Sequence, residues 1–134
     1  GAADGAGLGH DFLRHVERTK VIIHVIDLMP FDESDPVANY EVIRRELHAF
    51  SPVLAEKPEL VVLNKIDLVD PEEKESLVRR TAHAIGLDPK EIVVASGATG
   101  FNMRELLERA WTLLVELEGE KEKWPGGAPN QPKK

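Results

Sequence analysis

Three short apolar runs rich in β-branched residues constrain the fold more than any other feature of the sequence. They are VIIHVID at residues 21–27, LVVLN at 60–64 and IVVA at 92–95, and segments with helical periodicity separate them. Such alternation is typical of a parallel sheet, because parallel neighbours need a crossover connection between them. The sequence therefore predicts an α/β fold with a parallel sheet of about three strands.

The connecting segments carry the signals of helix ends. Asp35 and Pro36 form a cap and first-turn pair, and the helix that they open has an apolar stripe of Val37, Tyr40, Ile43, Leu47 and Phe50. A second helix is predicted to open at residues 70–73, where Asp, Pro and Glu supply a cap and an N3 acid, and to end at Gly86. With right-handed crossovers, these two helices should cover the same face of the sheet.

A third helix follows the last strand. Asn102, with Glu105 three residues on, predicts its start, and Gly119 predicts its end. The apolar residues between them form the clearest amphipathic face in the chain: Leu106, Leu107, Ala110, Leu113, Leu114 and Leu117. This helix should cover the face of the sheet that the other two leave open.

Length and charge exclude several classes of function. The 134 residues suit one domain, and the net charge of −7 disfavours direct binding to nucleic acid, which is gripped by clusters of Lys and Arg. No apolar run is long enough to span a bilayer, so no membrane association is expected. The chain has no cysteine, which excludes disulfides and zinc-thiolate sites. Its first residues lack the regions of a signal peptide, which makes a cytoplasmic location the default expectation.

The second strand ends in the polar quartet Asn64-Lys65-Ile66-Asp67. An aspartate just past a strand end can accept two parallel hydrogen bonds from the ring N–H and the exocyclic amine of guanine, donors that adenine does not offer in this pattern. The stem of Lys65 can lie along the base, and the amide of Asn64 can link neighbouring loops. The quartet is therefore a candidate guanine site, although an ordinary polar turn is the alternative interpretation.

The loop after the third strand is the second candidate. It reads ASGATG at residues 95–100 and contains Ser96, Gly97 and Ala98, small residues that leave backbone N–H groups exposed. A glycine-containing loop is common in α/β proteins, so this segment alone is weak evidence. Because it lies one strand beyond the quartet, it is where a second wall of a base pocket is expected.

These two segments resemble the fourth and fifth guanine-nucleotide motifs of the P-loop GTPases. Residues 5–27, GAGLGHDFLRHVERTKVIIHVID, resemble the switch II region and the following strand of the Obg family, and the resemblance extends to the helix that ends near Leu117. It implies a three-layer Ras-like P-loop GTPase fold that binds GTP and GDP. In its guanine site Asn64 and Asp67 would read the base, Lys65 would pack beside it, and Ser96 would support the aspartate.

The loop departs from the family pattern at one position. Gly97 stands where alanine is usual, and the resemblance implies that this position donates its backbone N–H to the guanine oxygen. Glycine preserves such a contact while loosening the loop by a few tenths to about 1 kcal/mol. Ala98 completes the predicted set of guanine-binding residues.

The phosphate-binding motifs of the family are missing from the chain. A Walker A loop requires Gly-x-x-x-x-Gly-Lys followed by Ser or Thr, and no lysine here precedes either residue. By resemblance, the P-loop, switch I and three strands lie upstream. Intact members hydrolyse GTP with magnesium, and no magnesium ligand is found here. Catalytic residues are therefore not expected, and the chain alone is not expected to hydrolyse GTP.

The predicted organisation follows from the resemblance. Residues 1–119 should form the C-terminal part of an Obg-type G domain, with residues 1–19 as the switch II region and residues 120–134, rich in charge, Pro and Gly, as a disordered tail. The family is associated with ribosome assembly, so the ribosome is an expected partner of the intact protein. Two alternatives stay open: a protein interaction module that no longer binds nucleotide, and an unrelated α/β domain with an accidental match.

The first strand carries a further expectation. VIIHVID is typical of a strand that is buried on both faces, yet in this chain it would have a neighbouring strand on one side only. The resemblance implies that its open side pairs with the strand of the upstream half of the G domain. Within this strand His24 is expected to be a core or edge histidine with a hydrogen-bonded ring, and Asp27 to cap the next loop or face the nucleotide.

Overall fold

The computed structural model describes residues 8–119, which contain a three-stranded parallel sheet with helices on both sides. The predicted tail at 120–134 and the first seven residues of the predicted switch II segment lie outside the described residues. The elements are, in chain order, α1 His10–Glu17, β1 Ile22–Asp27, α2 Pro36–Phe50, α3 Pro52–Glu56, β2 Glu59–Asn64, α4 Lys74–Ile85, β3 Ile92–Val94 and α5 Met103–Gly119.

The sheet has the order β1-β2-β3, and both pairs are parallel. Val62 in the central strand lies opposite Val25 of β1 and Val93 of β3. Each strand begins and ends within one residue of the run that predicted it. The predicted α/β class with a partial parallel sheet of about three strands is confirmed.

The helices divide between the two faces as predicted. On one face α2 and α4 pack against a buried cluster that contains Ile26, Leu28, Val61, Leu63, Ile66, Val69, Ala82 and Ile92. On the other face α5 packs against Leu60, Val62, Val93 and Ala95 through Met103, Leu106 and Ala110. The central strand is buried on both sides, since its residues contribute to both clusters. No helix within residues 8–119 is long and apolar enough to cross a membrane.

The helix ends agree with the sequence signals in part. The Asp35 side chain accepts hydrogen bonds from two first-turn N–H groups of α2, and Gly86 ends α4 in the left-handed conformation at φ 80°. The start of the second helix was predicted too early. The N–H of Glu73 donates to the carbonyl of Asp70 at 2.8 Å, which closes a tight turn, so that α4 begins only at Lys74.

The third predicted helix begins at Met103, one residue after Asn102, and the side chain of Asn102 bonds to the sheet. The Asn102 backbone is left-handed at φ 58°, and its side-chain amide donates to the carbonyl of Val94 at 3.0 Å. The left-handed backbone directs the side chain back towards β3 instead of along α5. Asn102 therefore connects the helix to the sheet, while Gly119, the predicted end, is the last described residue of α5.

The helices α1 and α3 were not predicted. Both contribute to a third buried cluster, in which Leu13 of α1, Leu47 of α2 and Leu54 of α3 are at most 3% exposed. Ser51 separates α2 from α3 and caps α3, because its hydroxyl accepts a hydrogen bond from the N–H of Val53 at 3.1 Å. This cluster lies beside the amino end of β1, since Ile22 packs against it.

The prediction that the first strand is buried on both faces was wrong. His24 and Ile26 are buried, whereas Ile23 is 44% exposed and Val25 is 51% exposed. The two exposed side chains lie on the face that α5 covers at β2 and β3, and α5 does not extend over them. Within residues 8–119, β1 is also an edge strand with β2 as its only neighbour.

Candidate functional site

The carboxyl ends of the three strands bring the two candidate segments together. Backbone hydrogen bonds connect them beyond the regular sheet: the N–H of Leu28 donates to the carbonyl of Asn64 at 3.0 Å, and the N–H of Ile66 donates to the carbonyl of Ala95 at 3.3 Å. The loop after each strand therefore starts from a fixed position. Ligand sites in open α/β sheets lie at this edge.

Asn64 connects all three strand ends through its side chain. Its Oδ1 accepts a hydrogen bond from the N–H of Gly97 at 2.9 Å, and its Nδ2 donates to Oδ1 of Asp27 at 3.3 Å. The predicted linking role of this amide is thus seen in the geometry. The Gly97 N–H, which the resemblance assigns to the guanine oxygen, donates to Asn64 in this structure.

Lys65 has a strained backbone and a paired side chain. Its φ of 67° and ψ of 28° lie in the left-handed region, which costs a non-glycine residue about 1–2 kcal/mol. Its ammonium lies 3.2 Å from Oδ2 of Asp27, and the two side chains are 32% and 41% exposed. Strained residues of this kind concentrate at functional sites.

Asp67 lies in a short 3₁₀-helix, Ile66–Leu68, directly after Lys65. Ile66 and Val69 are buried on either side of it, at 3% and 5% exposure, so they anchor the segment to the core. Asp67 itself is exposed. The carboxylate is therefore presented to solvent by a backbone that its neighbours hold in place.

The loop at 95–100 closes on itself. The Ser96 side chain is fully buried, and its hydroxyl accepts a hydrogen bond from the N–H of Thr99 at 3.1 Å. The N–H of Gly100 donates to the Ser96 carbonyl at 2.8 Å, and Gly100 has the positive φ of 82° that favours glycine. Gly97 and Ala98 are exposed at the tip. Ser96 thus shapes the loop, and its predicted support of Asp67 stays a prediction.

A cavity of about 590 Å³ adjoins Asp27 and Lys65. Besides these two residues, its polar lining includes His24, Asp32, Asn39 and Tyr40. Hydrogen bonds from the hydroxyl and the N–H of Ser34 hold the pKa of the Asp32 carboxyl below its usual value. The cavity is therefore lined by both an ion pair and an ionised acid.

A second polar cluster lies deeper, between α2 and the sheet. The carboxylate of Glu59 lies 3.2 Å from Nδ1 of His24 and 3.2 Å from the guanidinium of Arg44, and it accepts a hydrogen bond from the Tyr40 hydroxyl at 3.4 Å. The rings of His24 and Tyr40 stack at 4.8 Å. The expectation that His24 is a core histidine with a hydrogen-bonded ring agrees with this geometry.

Burial and neighbouring charges shift the pKa of the Glu59 carboxyl in opposite directions. Burial alone raises the pKa of the Glu59 carboxyl, but the hydrogen bond and charge of His24, together with Arg44, outweigh it and bring the pKa below the usual value. Burial, reinforced by the nearby Glu59 charge, raises the pKa of the Tyr40 hydroxyl. These groups satisfy one another inside the protein, which is typical of a structural cluster.

Metal binding has no support in the described geometry. Among residues 8–119, no group of three or more His, Cys, Asp or Glu side chains is arranged to hold an ion. The residues present therefore do not form a magnesium site by themselves.

The fold and the position of the quartet define a class of protein, the P-loop GTPases. A solved structure of Era from Aquifex aeolicus, a variant bound to GDP and AlF4⁻, superposes with a TM-score of 0.52 at 25% identity and covers 74% of this chain and 30% of Era. Two proteins named GTPase Obg, from Caldicellulosiruptor bescii and Caldicellulosiruptor saccharolyticus, are each 46% identical over 116 residues. A scan against protein-family models found no match.

The Obg matches cover 87% of this chain and 26% of each relative. The chain belongs to the Obg family of P-loop GTPases, and it spans about a quarter of the length of the curated relatives that it matches.

Proposed function

We propose that this chain is the guanine-recognition part of an Obg-family GTPase and corresponds to the C-terminal part of the G domain. The observation that carries the proposal is the side chain of Asn64, which joins the ends of all three strands through Asp27 and Gly97. This linkage fixes the segment that presents Asp67 to solvent. The ligand class is GTP and GDP, contacted here through the base alone.

The proposed roles follow from the chemistry of each group. Asp67 accepts two hydrogen bonds from the guanine ring N–H and amine, and the Lys65 stem lies along the base. Ser96 and Gly97 shape the opposing loop. Because the Gly97 N–H already donates to Asn64 at 2.9 Å, we expect the N–H of Ala98 to share or take over the contact with the guanine oxygen.

The wider functions of the family belong to the intact protein in this proposal. Phosphoryl transfer requires a phosphate cradle and magnesium, and this chain has no Walker A lysine, so we expect it not to hydrolyse GTP alone. In the intact protein the upstream half of the G domain supplies those groups. Association with the ribosome and a cytoplasmic location are proposed on the same basis.

The surface around β1 favours a second candidate, a protein interaction module. Its outer backbone edge has no neighbouring strand within residues 8–119, and Ile23 and Val25 beside it are about half exposed. An edge of this kind pairs readily with another strand. In this alternative the chain keeps the fold and binds a partner instead of a nucleotide.

A titration separates the two candidates. Guanosine and adenosine are added in turn to the ¹⁵N-labelled chain, and the backbone signals of residues 64–67 and 96–98 are followed. Shifts with guanosine that adenosine does not produce, and that disappear in Asp67→Ala, are expected from the guanine site. No selective shift in the unmodified chain would favour the interaction module.

Hydrolysis is tested on the same preparation. The chain is incubated with GTP and magnesium, and phosphate release is compared with buffer alone. We expect no release above background. Magnesium-dependent release that is lost in Asp67→Ala would overturn the expectation that the upstream half is required.

A further inference from the structure

Asp27 contacts both leading residues of the quartet from the neighbouring strand. It is the last residue of β1, opposite Asn64 in the register of the sheet. One carboxylate oxygen accepts a hydrogen bond from Asn64 Nδ2 at 3.3 Å, and the other lies 3.2 Å from the ammonium of Lys65. An aspartate that only capped its own loop would bond to backbone N–H groups that follow it, whereas these contacts reach across to β2.

The Asp27 carboxylate determines how the Asn64 amide is oriented. A carboxylate is only an acceptor, so the NH₂ group of Asn64 must face Asp27, and its oxygen then faces the N–H of Gly97 at 2.9 Å. Rotation of the amide by half a turn would place an oxygen against a carboxylate and an NH₂ group against an N–H donor. Both contacts would be lost together, so the hydrogen bond from Gly97 to Asn64 is coupled to the contact between Asn64 and Asp27.

The same carboxylate restrains Lys65. The left-handed backbone of Lys65 is a conformation that a lysine rarely adopts, and Asp67 follows two residues later in the 3₁₀-helix. The ion pair holds the far end of this side chain, and the hydrogen bond from Ile66 N–H to the Ala95 carbonyl holds the backbone beyond it. Asp27 therefore restrains Lys65 directly through the ion pair and restrains the preceding residue, Asn64, through a hydrogen bond.

We propose that Asp27 is a positioning residue for the guanine-reading segment. It acts through Asn64 and Lys65, and it sets how tightly the base is held while Asp67 sets which base is chosen. The effect of Asp27 on base affinity rests on the proposed function. The effect of Asp27 on the Asn64 amide and on Lys65 can also be tested without ligand, because these contacts exist without nucleotide.

The ligand-free part is tested by the hydrogen exchange of the Gly97 amide. In Asp27→Ala, loss of the fixed amide orientation should make this N–H exchange roughly three- to tenfold faster, as expected for one neutral hydrogen bond. Asp27→Asn keeps the size of the side chain but removes the negative charge that Lys65 faces, and it should give an intermediate acceleration. Asp11→Ala serves as the control, since this aspartate is exposed and pairs only locally with Arg14. Equal exchange in all four proteins would overturn the proposal.

The ligand-binding part separates affinity from selectivity. Asp27→Ala should weaken guanosine binding roughly tenfold while the preference for guanosine over adenosine is retained, whereas Asp67→Ala should abolish the preference. The double variant Asp27→Ala/Lys65→Ala should lose less than the sum of its single changes, because the two residues act as one pair. A lost preference in Asp27→Ala, or strict additivity, would contradict a positioning role.

Failure of the proposed function has a different signature. If the unmodified chain shows no guanosine selectivity, the guanine-recognition proposal is contradicted, and the exchange of the Gly97 amide alone decides the role of Asp27. Folding of each variant is checked by the dispersion of its amide signals. Asp27→Asn keeps the test decisive if Asp27→Ala fails to fold.

Discussion

Two polar clusters lie at different depths in this domain, one under α2 and one at the carboxyl ends of the strands. The first surrounds Glu59, whose side chain is 12% exposed, and pairs it with His24 at 8% exposure. The second joins Asp27 to Lys65, which are 41% and 32% exposed. Both contain a carboxylate with two nitrogen partners, and the carboxylate of the first cluster is the more buried one.

Burial changes what each cluster does. Charges taken out of water must be paired, and removing one partner leaves the others uncompensated, so the buried cluster acts on stability. Half-exposed groups keep their hydration and remain accessible to a ligand, so the cluster at the strand ends acts on binding. The comparison predicts that substitutions in the Glu59 cluster change the free energy of unfolding. Substitutions near the Asp27–Lys65 cluster should instead change the affinity for the base or the choice of base.

The largest effect is expected for Glu59→Gln. It removes the charge that His24 and Arg44 face, and we expect a loss of about 2–3 kcal/mol in the free energy of unfolding. Urea denaturation near neutral pH measures the change. Glu75→Gln is the matched control, because Glu75 forms an exposed pair with Arg79 at 3.1 Å and should change stability by less than about 0.5 kcal/mol. Equal losses in the two variants would break the comparison.

Asp67→Asn should change the choice of base and leave stability nearly intact. The amide offers one acceptor and one donor group in place of two acceptors, which suits xanthine better than guanine. We expect the guanosine-to-xanthosine preference to move by roughly 10–100-fold, with unfolding changed by less than about 0.5 kcal/mol. Competition between the two nucleosides measures the preference. An unchanged preference for guanosine would remove Asp67 from the site.

The buried cluster around Glu59 should make the stability of the fold depend on pH. Because the pKa of Glu59 is lower in the folded protein than in the unfolded chain, its contribution is present above the unfolded value and is lost as the pH falls through the folded one. The stability difference between the unmodified chain and Glu59→Gln should therefore shrink as the pH falls from about 6 to about 3. A difference that stays constant over that range would show that the Glu59 charge does not stabilise the fold.

The smallest effect is expected for Gly97→Ala. A Cβ at this position would lie 3.8 Å from Oδ1 of Asn64, an ordinary contact, and the backbone there does not require glycine. Alanine should raise the free energy of unfolding by about 0.4–1 kcal/mol through the unfolded state. Gly100→Ala is the contrast, since φ 82° makes it unfavourable. Destabilisation by Gly97→Ala would mean that the loop needs its flexibility.

The strands and the helix α2 were predictable because their signals are local. β-Branched runs identify β1 to β3, and the Asp35-Pro36 pair marks the start of α2. The position of the candidate base-reading residues at a strand end was predictable for a similar reason, since the quartet follows an apolar run directly. Their contact with a base stays a prediction. The fold class then followed from the order of the elements alone.

The remaining features depend on neighbours that are distant in sequence. Asp27 is 37 residues from Asn64, and nothing in its own segment distinguishes it from an acid that caps a loop. The exposure of Val25 depends on how far α5 extends over the sheet. Val25 and Val62 are the same residue type in similar apolar runs, yet only Val62 is covered. The left-handed backbone at position 65 was not predictable, because the residue there is a lysine and not a glycine or asparagine, the types that usually adopt this conformation.

The open edge of β1 has a consequence for hydrogen exchange. The N–H of Ile22 donates to the carbonyl of Pro58, just before β2, at 2.9 Å, and the N–H of Leu28 donates to the carbonyl of Asn64 at 3.0 Å. In a parallel strand alternate residues point their amides to the same side, so His24 should be protected with them, whereas Ile23 and Val25 should exchange freely. Protection along β1 would then alternate residue by residue, and a strand that docked on the edge would be detected as the disappearance of that alternation.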